Sequence, residues 1–468
     1  MRNARLVGGL AALAVLLILL LAPAAWAAPL PLVSSTSYAS AGDDGFTCVT
    51  TGPDGAVYAA GYAQQNAALT SGVLLLVKYV DDGSKLTEAW HVLAGYEPMT
   101  AVKVAVNSYG DVIVAANRGR GDFHGNGGDI VVEKVSPAGE PLWTSEYDGR
   151  AHGLDYVKAM TLDRDGNVIV CGSSFDKGTG RDYVTIKFTS GGGRAWVRKY
   201  AGPSDFDEAR DVTVDPAGNV YVTGQSRMKS PIPGRSGLPR AVTISYAPGG
   251  RQRWIVVDKR KHSTSGVTLD YCGVAGAKGV VLSGSRWPLH ARYEHLYFDK
   301  YRSSDGHVVW TSTVNTTARV TEWPSAAALD ASGAPIVAGG SNAQGGIEAL
   351  LAGVSANGLQ PWSSYITSIT DNPAWAEFAD VAVASDGRIL AAGQTATAAM
   401  PEEGDQPTAF LVRSSTGWPV TAPLDYIGDG GPTTYDACKA VAIGDRGMYA
   451  VGKAAEGSGD TDAVLLKF

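Results

Sequence analysis

The most constraining feature of this sequence is a repeat of about 55 residues that runs along most of the 468-residue chain. Its clearest copy is DEARDVTVDPAGNVYVTGQS at Asp207–Ser226. An apolar stretch at Ala241–Tyr246 and a Gly-x-x-x-Trp ending at Trp254 follow it. A fixed period of this length is typical of solenoids, propellers and arrays, so it predicts architecture before chemistry.

The copies align on a hairpin pattern in which apolar residues alternate around a glycine-bearing turn, as in VTVDPAGNVYVTG at 212–224. This pattern predicts a β-hairpin. A third strand follows each hairpin, for example DYVTIKF at 182–188, and a fourth carries a tryptophan. The hairpins lie at 48–61, 104–116, 160–172, 212–224, 272–284, 327–340, 381–393 and 441–452. The tryptophans are Trp90, Trp143, Trp196, Trp254, Trp310, Trp362 and Trp418.

The eighth copy has no tryptophan strand, because the sequence stops at Phe468 directly after its third strand. The segment Ser34–Tyr38 aligns with the tryptophan strand Trp196–Tyr200. We therefore predict that residues 30–38 pair with the last repeat and close a ring, which removes the exposed sheet edge of an open array. An open solenoid is the alternative, but it needs polar caps, and Leu465–Phe468 is apolar apart from one lysine. The predicted fold is all-β: a single β-propeller of eight four-stranded blades at residues 29–468.

These repeats resemble the bacterial SBBP β-propeller repeat family. The family pattern joins an Asp-Phe/Tyr-x-x-x-Lys strand, a Gly-to-Tyr segment and an Asp-x-x-Gly-Asn-x-Tyr-Val-x-Gly hairpin. Here these features stand at Asp182–Lys187, Gly193–Tyr200 and Asp215–Gly224. The resemblance covers nearly all of the chain after residue 28 and implies the propeller fold. The family is largely without assigned activity, so the resemblance implies no catalytic residues.

Residues 1–28 have the pattern of an export signal. Arg2 and Arg5 form the charged start, Leu6–Leu21 the apolar run, and Ala25–Ala27 the small-x-small cleavage pattern. We therefore expect a secreted, periplasmic or cell-surface protein. The apolar run is also long enough for an uncleaved anchor, which stays open as an alternative. After cleavage, no later segment of the sequence is long and apolar enough to span a membrane.

The net charge of the chain is −7. An acidic balance argues against bulk binding of nucleic acid, although local basic patches can still exist. We expect a monomer, and a ligand or partner recognised by local surface chemistry.

Acidic, basic and aromatic positions recur with the repeat. A carboxylate opens the inner strand in five copies: Asp44, Asp155, Asp207, Glu322 and Asp436. A ring of carboxylates can hold structural calcium, but an aspartate also commonly accepts backbone N–H groups in its own loop. Because these carboxylates recur in most blades, they indicate a structural role and not a single binding site. We therefore predict that they accept backbone N–H groups in their own loops. We likewise predict that the recurring lysine at the end of the third strand and the tryptophans join neighbouring blades. No cofactor is predicted.

Four cysteines in an exported chain raise the question of disulfides. Cys48 and Cys438 lie on the inner strands of the first and last blades, which become neighbours if the ring closes. A bond between them would tie the two ends together, provided that the strands approach within the disulfide limit. Cys171 and Cys272 lie in blades three and five and are predicted to be buried thiols.

The copies differ most in the loops after the second strand and in the connections between blades. In blades two to five these loops are rich in cations and histidines, whereas those of blades seven and eight carry Glu402, Glu403, Asp405, Glu456, Asp460 and Asp462. Cations concentrated on one part of an acidic protein indicate a site for an anionic ligand. The candidate ligand-binding residues are Arg118, Arg150, His152, Arg235, Arg260, His262, Arg286, His290 and Arg292. Further basic loop residues include Lys177, Arg181, Arg227, Lys229 and Arg240, and solvated loops that merely collect charge are the alternative.

Three functions fit this sequence. The first is an exported binding or scaffold protein that holds an anionic glycan or an envelope protein on the loops of blades two to five. The second is a propeller enzyme, either a polysaccharide lyase or hydrolase or a quinoprotein-like dehydrogenase, since histidine, arginine and carboxylates can perform acid–base chemistry. The third is a structural envelope assembly factor. No recognised catalytic constellation is present in the sequence, so the binding protein is favoured.

Overall fold

The computed structural model describes residues 32–65, 72–95, 98–119, 128–229, 237–258, 262–272, 279–288, 295–314, 321–342, 347–366, 375–396, 408–414, 423–425, 437–455 and 461–468. These ranges contain strands β1 to β32 and no helix, so none of the described residues belongs to a helix that could cross a membrane. The strands form eight antiparallel sheets of four. The predicted all-β fold with eight four-stranded blades is confirmed.

The first four blades each consist of four consecutive strands, ordered from the inner to the outer edge. Blade one contains β2 (Asp44–Thr51), β3 (Val57–Ala63), β4 (Val73–Asp81) and β5 (Leu86–Ala94). Blade two contains β6 (Met99–Val106), β7 (Val112–Arg118), β8 (Asp129–Val135) and β9 (Pro141–Tyr147). Blade three contains β10 (Asp155–Leu162), β11 (Val168–Asp176), β12 (Gly180–Phe188) and β13 (Arg194–Tyr200). Blade four contains β14 (Asp207–Val214), β15 (Val220–Arg227), β16 (Pro239–Tyr246) and β17 (Gln252–Val257).

The last four blades follow the same plan, except that the outer strand of blade eight comes from the start of the chain. Blade five contains β18 (His262–Cys272), β19 (Gly279–Pro288), β20 (His295–Tyr301) and β21 (Val308–Thr313). Blade six contains β22 (Glu322–Leu329), β23 (Pro335–Ser341), β24 (Glu348–Gly353) and β25 (Trp362–Ile366). Blade seven contains β26 (Trp375–Val383), β27 (Ile389–Ala396), β28 (Thr408–Ser414) and β29 (Pro423–Asp425). Blade eight contains β30 (Ala437–Gly444), β31 (Gly447–Ala455), β32 (Thr461–Lys467) and β1 (Ser34–Tyr38).

The apolar cores of the propeller lie between blades rather than within them. The core between blades three and four, for example, joins Cys171 and Tyr183 of one sheet to Val222 and Ile244 of the next. Each of the eight buried apolar clusters in the described part of the chain joins two adjacent blades in this way. Successive apolar residues of the middle strands therefore point to opposite faces of the sheet, and each face packs against a different neighbouring blade.

The recurring tryptophans join each blade to the next, as predicted. In blades one to four the indole N–H donates to a carbonyl in the turn before the outer strand of the following blade. The acceptors are Pro137 for Trp90 (3.1 Å), Ser190 for Trp143 (3.0 Å), Pro248 for Trp196 (2.9 Å) and Ser303 for Trp254 (3.0 Å). Gly250 lies against Trp196, where a Cβ atom would stand 2.8 Å from the indole, and its φ is +82°. In each Gly-x-x-x-Trp motif the glycine therefore packs against the tryptophan of the preceding blade, and the tryptophan packs against the following blade. Trp418 lies outside the described residues.

The N-terminal strand closes the ring, as predicted. β1 pairs antiparallel with β32, from Ser34 opposite Lys467 to Tyr38 opposite Ala463. The chain then passes directly into β2 of blade one, whose core packs against that of blade eight. One sheet therefore contains both ends of the described chain, and this sheet leaves no gap between blade eight and blade one.

A buried ion pair lies at this junction. The Lys467 ammonium lies 2.5 Å from Asp81 of blade one, and both side chains are almost fully buried. Lys467 also donates to the Gly83 carbonyl (2.8 Å), and Tyr449 donates to the Asp81 carboxylate. Burial opposes ionisation of Asp81, but the hydrogen bonds from Lys467 and Tyr449 prevail and lower its pKa. The predicted role of the recurring lysine as a bridge between blades is thus realised at the position where the ring closes.

The same lysine position in blades one to three binds within its own blade and reaches the next. Lys187 lies 2.8 Å from Asp163 in the hairpin turn of blade three, and its ammonium also lies 3.5 Å from the Pro248 carbonyl of blade four. Lys78 and Lys134 make the corresponding pairs with Asp54 (3.0 Å) and Asp111 (2.7 Å). These pairs fix the hairpin turn against the third strand.

The recurring carboxylates accept backbone N–H groups of the connections between blades. Asp44 accepts from Ser40 (2.5 Å) and Gln64 (2.9 Å), Asp155 from Gly149 (2.6 Å), and Asp207 from Gly202 (2.6 Å). Glu322 accepts from Leu296 across a blade boundary (3.3 Å). The predicted loop role is confirmed for Asp44, Asp155 and Asp207. Glu322 instead binds a strand of blade five, and Asp436 lies outside the described residues.

Cys48 and Cys438 do not form the disulfide that ring closure left open. Cys48 is a free, buried thiol, and burial raises its pKa to about 12. The two inner strands are neighbours, but their cysteines face opposite ways around the ring. Cys48 packs toward Met99 and Ala101 of blade two, whereas Cys438 packs toward Leu390 of blade seven. Because a disulfide requires Cβ vectors that point toward each other, this arrangement excludes the bond.

The ion pair at the junction should contribute strongly to stability. Lys467→Met leaves the Asp81 carboxylate buried without its cation, which costs about 3–5 kcal/mol. We expect the free energy of unfolding, measured by urea titration, to fall by that amount. Exposed Lys85→Met is the matched control, with a change within about 0.5 kcal/mol. The double variant Asp81→Asn/Lys467→Met should recover part of the loss; equal stability of Lys467→Met and wild type would contradict the role given to this pair.

Burial raises the pKa of Asp155 from 3.8 to about 6, so this residue should shape the pH dependence of stability. Between these values the folded state binds the proton more tightly than the unfolded chain, so this contribution to stability is lost as pH rises. The free energy of unfolding of Asp155→Asn, relative to wild type, should therefore increase between pH 4 and pH 7. Exposed Asp165→Asn should show no such trend, and parallel pH profiles for wild type and Asp155→Asn would refute the expectation.

Candidate functional site

The loop face of the propeller is the end at which the connections between blades and the loops after each second strand emerge. Arg118 lies there at the end of β7, and Arg150 and His152 lie in the connection between β9 and β10. His262 and Arg286 lie on β18 and β19, and only their backbone is described. Arg235, Arg260, His290 and Arg292 lie outside the described residues. The structure therefore describes three of the nine candidate side chains.

Two of these three side chains meet in a network of opposite charges. Arg118 binds Asp129 (2.8 Å) and Glu146. His152 lies 2.5 Å from the Asp148 carboxylate and has a φ of +51°, which is uncommon for a residue other than glycine. Arg150 is exposed. Arg118 and His152 therefore already bind carboxylates of the protein. These pairings could not be read from the sequence.

Three carboxylates converge at the centre of this network. Oxygen atoms of Asp129, Asp148 and Asp155 lie within 4.8 Å of one another. Burial raises the pKa of Asp129 and of Asp155, and neighbouring carboxylates contribute in the same direction. Calcium prefers oxygen ligands of this kind, but it would have to compete here with the Arg118 guanidinium and the His152 ring, which already bind these carboxylates. Structural calcium stays an open alternative to the loop role.

A different group of basic residues is arranged around an aromatic ring between blades three and four. The guanidinium groups of Arg181 and Arg227 lie 5.2 Å and 4.9 Å from the centroid of the Phe206 ring. The backbone fixes this arrangement, because Arg181 donates its N–H to Asp205 (3.0 Å) and Arg227 donates to Phe206 (2.9 Å). We call Arg181, Phe206 and Arg227 the Phe206 clamp.

The charges of the clamp are only partly neutralised. Arg181 lies 3.9 Å from the buried carboxylate of Glu208, which also binds Lys158 (3.4 Å) and Arg210 (3.2 Å). Three cations therefore share one carboxylate. Arg227 has no ion-pair partner among the described residues, so one guanidinium of the clamp is left without a bound carboxylate. The carboxylates of Asp182, Asp205 and Asp207 lie in the same region.

The backbone contact beneath the clamp recurs, but its side chains do not. A residue at the end of the second strand, or directly after it, donates to the residue before the inner strand in other blades as well. These pairs are Gln64 with Asp43, Phe175 with Leu154, and Asn342 with Thr321. Because the same contact forms with amide, carboxylate and apolar side chains, the fold does not require two arginines and a phenylalanine here. Sequence reasoning named Arg181 and Arg227 only as basic loop residues and missed Phe206 and Glu208.

Comparison with known proteins supports the fold. Residues 195–227, which span β13 to β15, match the family model of the SBBP beta-propeller repeat. No curated protein matches the sequence at a significant level.

Similar solved structures cover nearly the whole chain at low identity. Sqt1 from Chaetomium thermophilum is 8% identical with a TM-score of 0.54, covering 93% of this chain and 98% of that one. The polysaccharide lyase Uly1 is 11% identical with a TM-score of 0.47, covering 94% and 99%. A PL25 ulvan lyase is 12% identical with a TM-score of 0.44, covering 92% and 95%. At these identities the likeness concerns the fold alone. The chain is thus an all-β propeller that carries a repeat of the SBBP type, as its sequence predicted.

Proposed function

We propose that this protein is an exported binding protein that holds an anionic ligand on its loop face without turning it over. The observation that carries the proposal is the Phe206 clamp, in which two guanidinium groups stack on one ring and Arg227 lacks a carboxylate partner among the described residues. The clamp lies within the loops of blades two to five that the sequence singled out, at the boundary of blades three and four.

The chemistry of the clamp suits carboxylate or sulfate groups. A guanidinium that stacks on an aromatic face keeps its N–H edges available, and those edges match the two oxygens of a carboxylate. The aromatic ring also limits the motion of both arginines, which lowers the entropy lost on binding. An acidic glycan presents such groups repeatedly along an extended surface, so it is the ligand class that we favour.

The charge distribution supports a local rather than a general attraction. The chain as a whole carries a charge of −7, which repels polyanions at long range. Binding therefore depends on short contacts at the clamp and on the neighbouring cations that share Glu208. A secreted, periplasmic or cell-surface location would bring the loop face into contact with envelope polymers. The alternatives of a propeller enzyme and of a structural assembly factor stay predictions.

The proposal is tested by the binding of polygalacturonate, with neutral dextran as the uncharged probe. We expect Arg227→Ala to weaken polygalacturonate binding at least tenfold, because a lost charge-assisted hydrogen bond is worth about 1.5–3 kcal/mol. Its binding should also depend less steeply on salt. Arg164→Ala is the matched control, because Arg164 is an exposed arginine on a hairpin turn at the opposite end of blade three.

Two results would overturn the proposal. The first is unchanged binding of polygalacturonate by Arg227→Ala, or no binding of it by the wild-type protein. The second is release of unsaturated or shortened uronate products during incubation, which would indicate the enzyme instead. Capture of an envelope protein that survives the Arg227→Ala change would point to the assembly factor.

A further inference from the structure

The inner strand of each blade contains one irregular step in its pairing, and in the seven blades whose inner side chains are described the skipped residue faces the axis of the propeller. In blade three, for example, the pairing of β10 with β11 skips Lys158 between Val157 and Ala159. A bulge of this kind re-aims the extra side chain relative to its neighbours. The residues skipped in the seven blades whose inner side chains are described are Thr47, Val102, Lys158, Arg210, Ser325, Ala379 and Lys439.

All seven bulge residues line one cavity of about 590 Å³ on the axis. In each of these seven blades the repeat therefore places one side chain in the same cavity, and the type of residue at that position differs from blade to blade. On one side, blades six and seven contribute the small residues Pro324, Ser325, Ala327 and Ala379. On the other side the lining contains four cations, Lys103, Lys158, Arg210 and Lys439, from blades two, three, four and eight.

Two carboxylates line the cavity, Asp211 of blade four and Asp380 of blade seven, and both accept backbone N–H groups. Asp380 accepts the backbone N–H groups of Val381 (2.9 Å) and Val441 (3.0 Å), which tie blade seven to blade eight. Glu377 accepts from Trp323 (2.8 Å) and Ser325 (3.0 Å). Asp380 interacts electrostatically with Lys103, and Glu377 with Lys439, but neither pair forms an ion pair among the described residues.

The cations that line the cavity have few ion-pair partners among the described residues. Neither Lys103 nor Lys439 forms an ion pair within the described part of the chain, and the Lys439 ammonium has only the amide oxygen of Gln394 at 3.5 Å. Burial, followed by repulsion from Lys453, lowers the pKa of Lys439. Farther round the ring, Lys158 and Arg210 share Glu208, and the buried Nε of Arg210 has no acceptor.

We propose that the axial cavity binds a small organic dianion, with one acidic group between Lys103 and Lys439 and the other at Lys158 and Arg210. The uncharged Thr47, Val102 and Met160 of blades one to three line the cavity beside these cations and suit a short neutral spacer. A cavity of this volume falls in the range of about 300–1,000 Å³ that holds single small molecules. A dicarboxylate with a few methylene groups meets these requirements.

The Lys103 and Lys439 half of the site is separate from the Phe206 clamp and does not rest on the loop-face function. Lys158 and Arg210, in contrast, share the Glu208 carboxylate with Arg181 of the clamp. The clamp presents guanidinium groups at a loop, whereas the axial site is enclosed by inner strands. Lys439 and Lys103 touch no residue of the clamp in the described part of the chain. Arg227→Ala and Lys439→Met therefore test the two sites separately.

Titration calorimetry with succinate, adipate and suberate tests the axial site, with acetate and inorganic phosphate for comparison. We expect one of the dicarboxylates to bind the full-length protein once, at least tenfold more tightly than acetate or phosphate. Lys439→Met and Lys103→Met should each weaken that binding about tenfold, since each removes a charge-assisted hydrogen bond. Lys85→Met, which removes an exposed lysine far from the axis, should bind as wild type does.

A second readout uses the Lys439 amine itself. Labelling by an amine-reactive reagent, followed on the peptide that contains Lys439, should slow when the dicarboxylate is bound, while labelling of Lys85 stays unchanged. The proposal is overturned if no dicarboxylate binds more tightly than acetate, if phosphate binds as tightly, or if Lys439→Met retains wild-type affinity. Arg227→Ala should lose polygalacturonate and keep the dicarboxylate, whereas Lys439→Met should show the reverse.

Discussion

Burial between blades is the constraint on which this structure depends. Every apolar cluster in the described chain is shared by two sheets, so no blade can bury its faces alone. A linear stack would leave two apolar faces exposed, and a ring leaves none. The ring in turn depends on β1, which occupies the outer position of blade eight, and on the buried pair of Lys467 with Asp81.

The scaffold interactions use mainly the backbone and a small set of recurring side chains. Tryptophan N–H groups bind turn carbonyls, and aspartates accept backbone N–H groups of the connections between blades. These contacts make no demand on the residues at the axial bulges or beside the inner strands. Variation there costs the fold little, which is why Lys158 and Ser325 can occupy equivalent positions. The chemistry of the propeller accordingly resides in positions that are equivalent in backbone and different in side chain.

Local patterns in the sequence were sufficient for the hairpins, the tryptophan strands and the closing strand. Each of these depends on the alternation of apolar residues, on a turn glycine or on the strand that the last copy lacks, all of which are visible along the chain. The cysteines show where this reasoning stops. Their strands are neighbours, but the direction of each side chain depends on the face of its own sheet, and Cys48 and Cys438 point apart. The candidate cations show the same limit, since Arg118 proved to be bound to Asp129 and Glu146.

The sequence by itself determined the number of blades, their strand order and the way in which the ring closes, because these follow from a periodic pattern and its one incomplete copy. Only the tertiary structure decided which charges meet. Arg181, Phe206 and Arg227 come together through backbone contacts between two blades, and the axial cations come together through bulges in strands from separate repeats. Such groupings form between residues distant in sequence, so no local pattern records them.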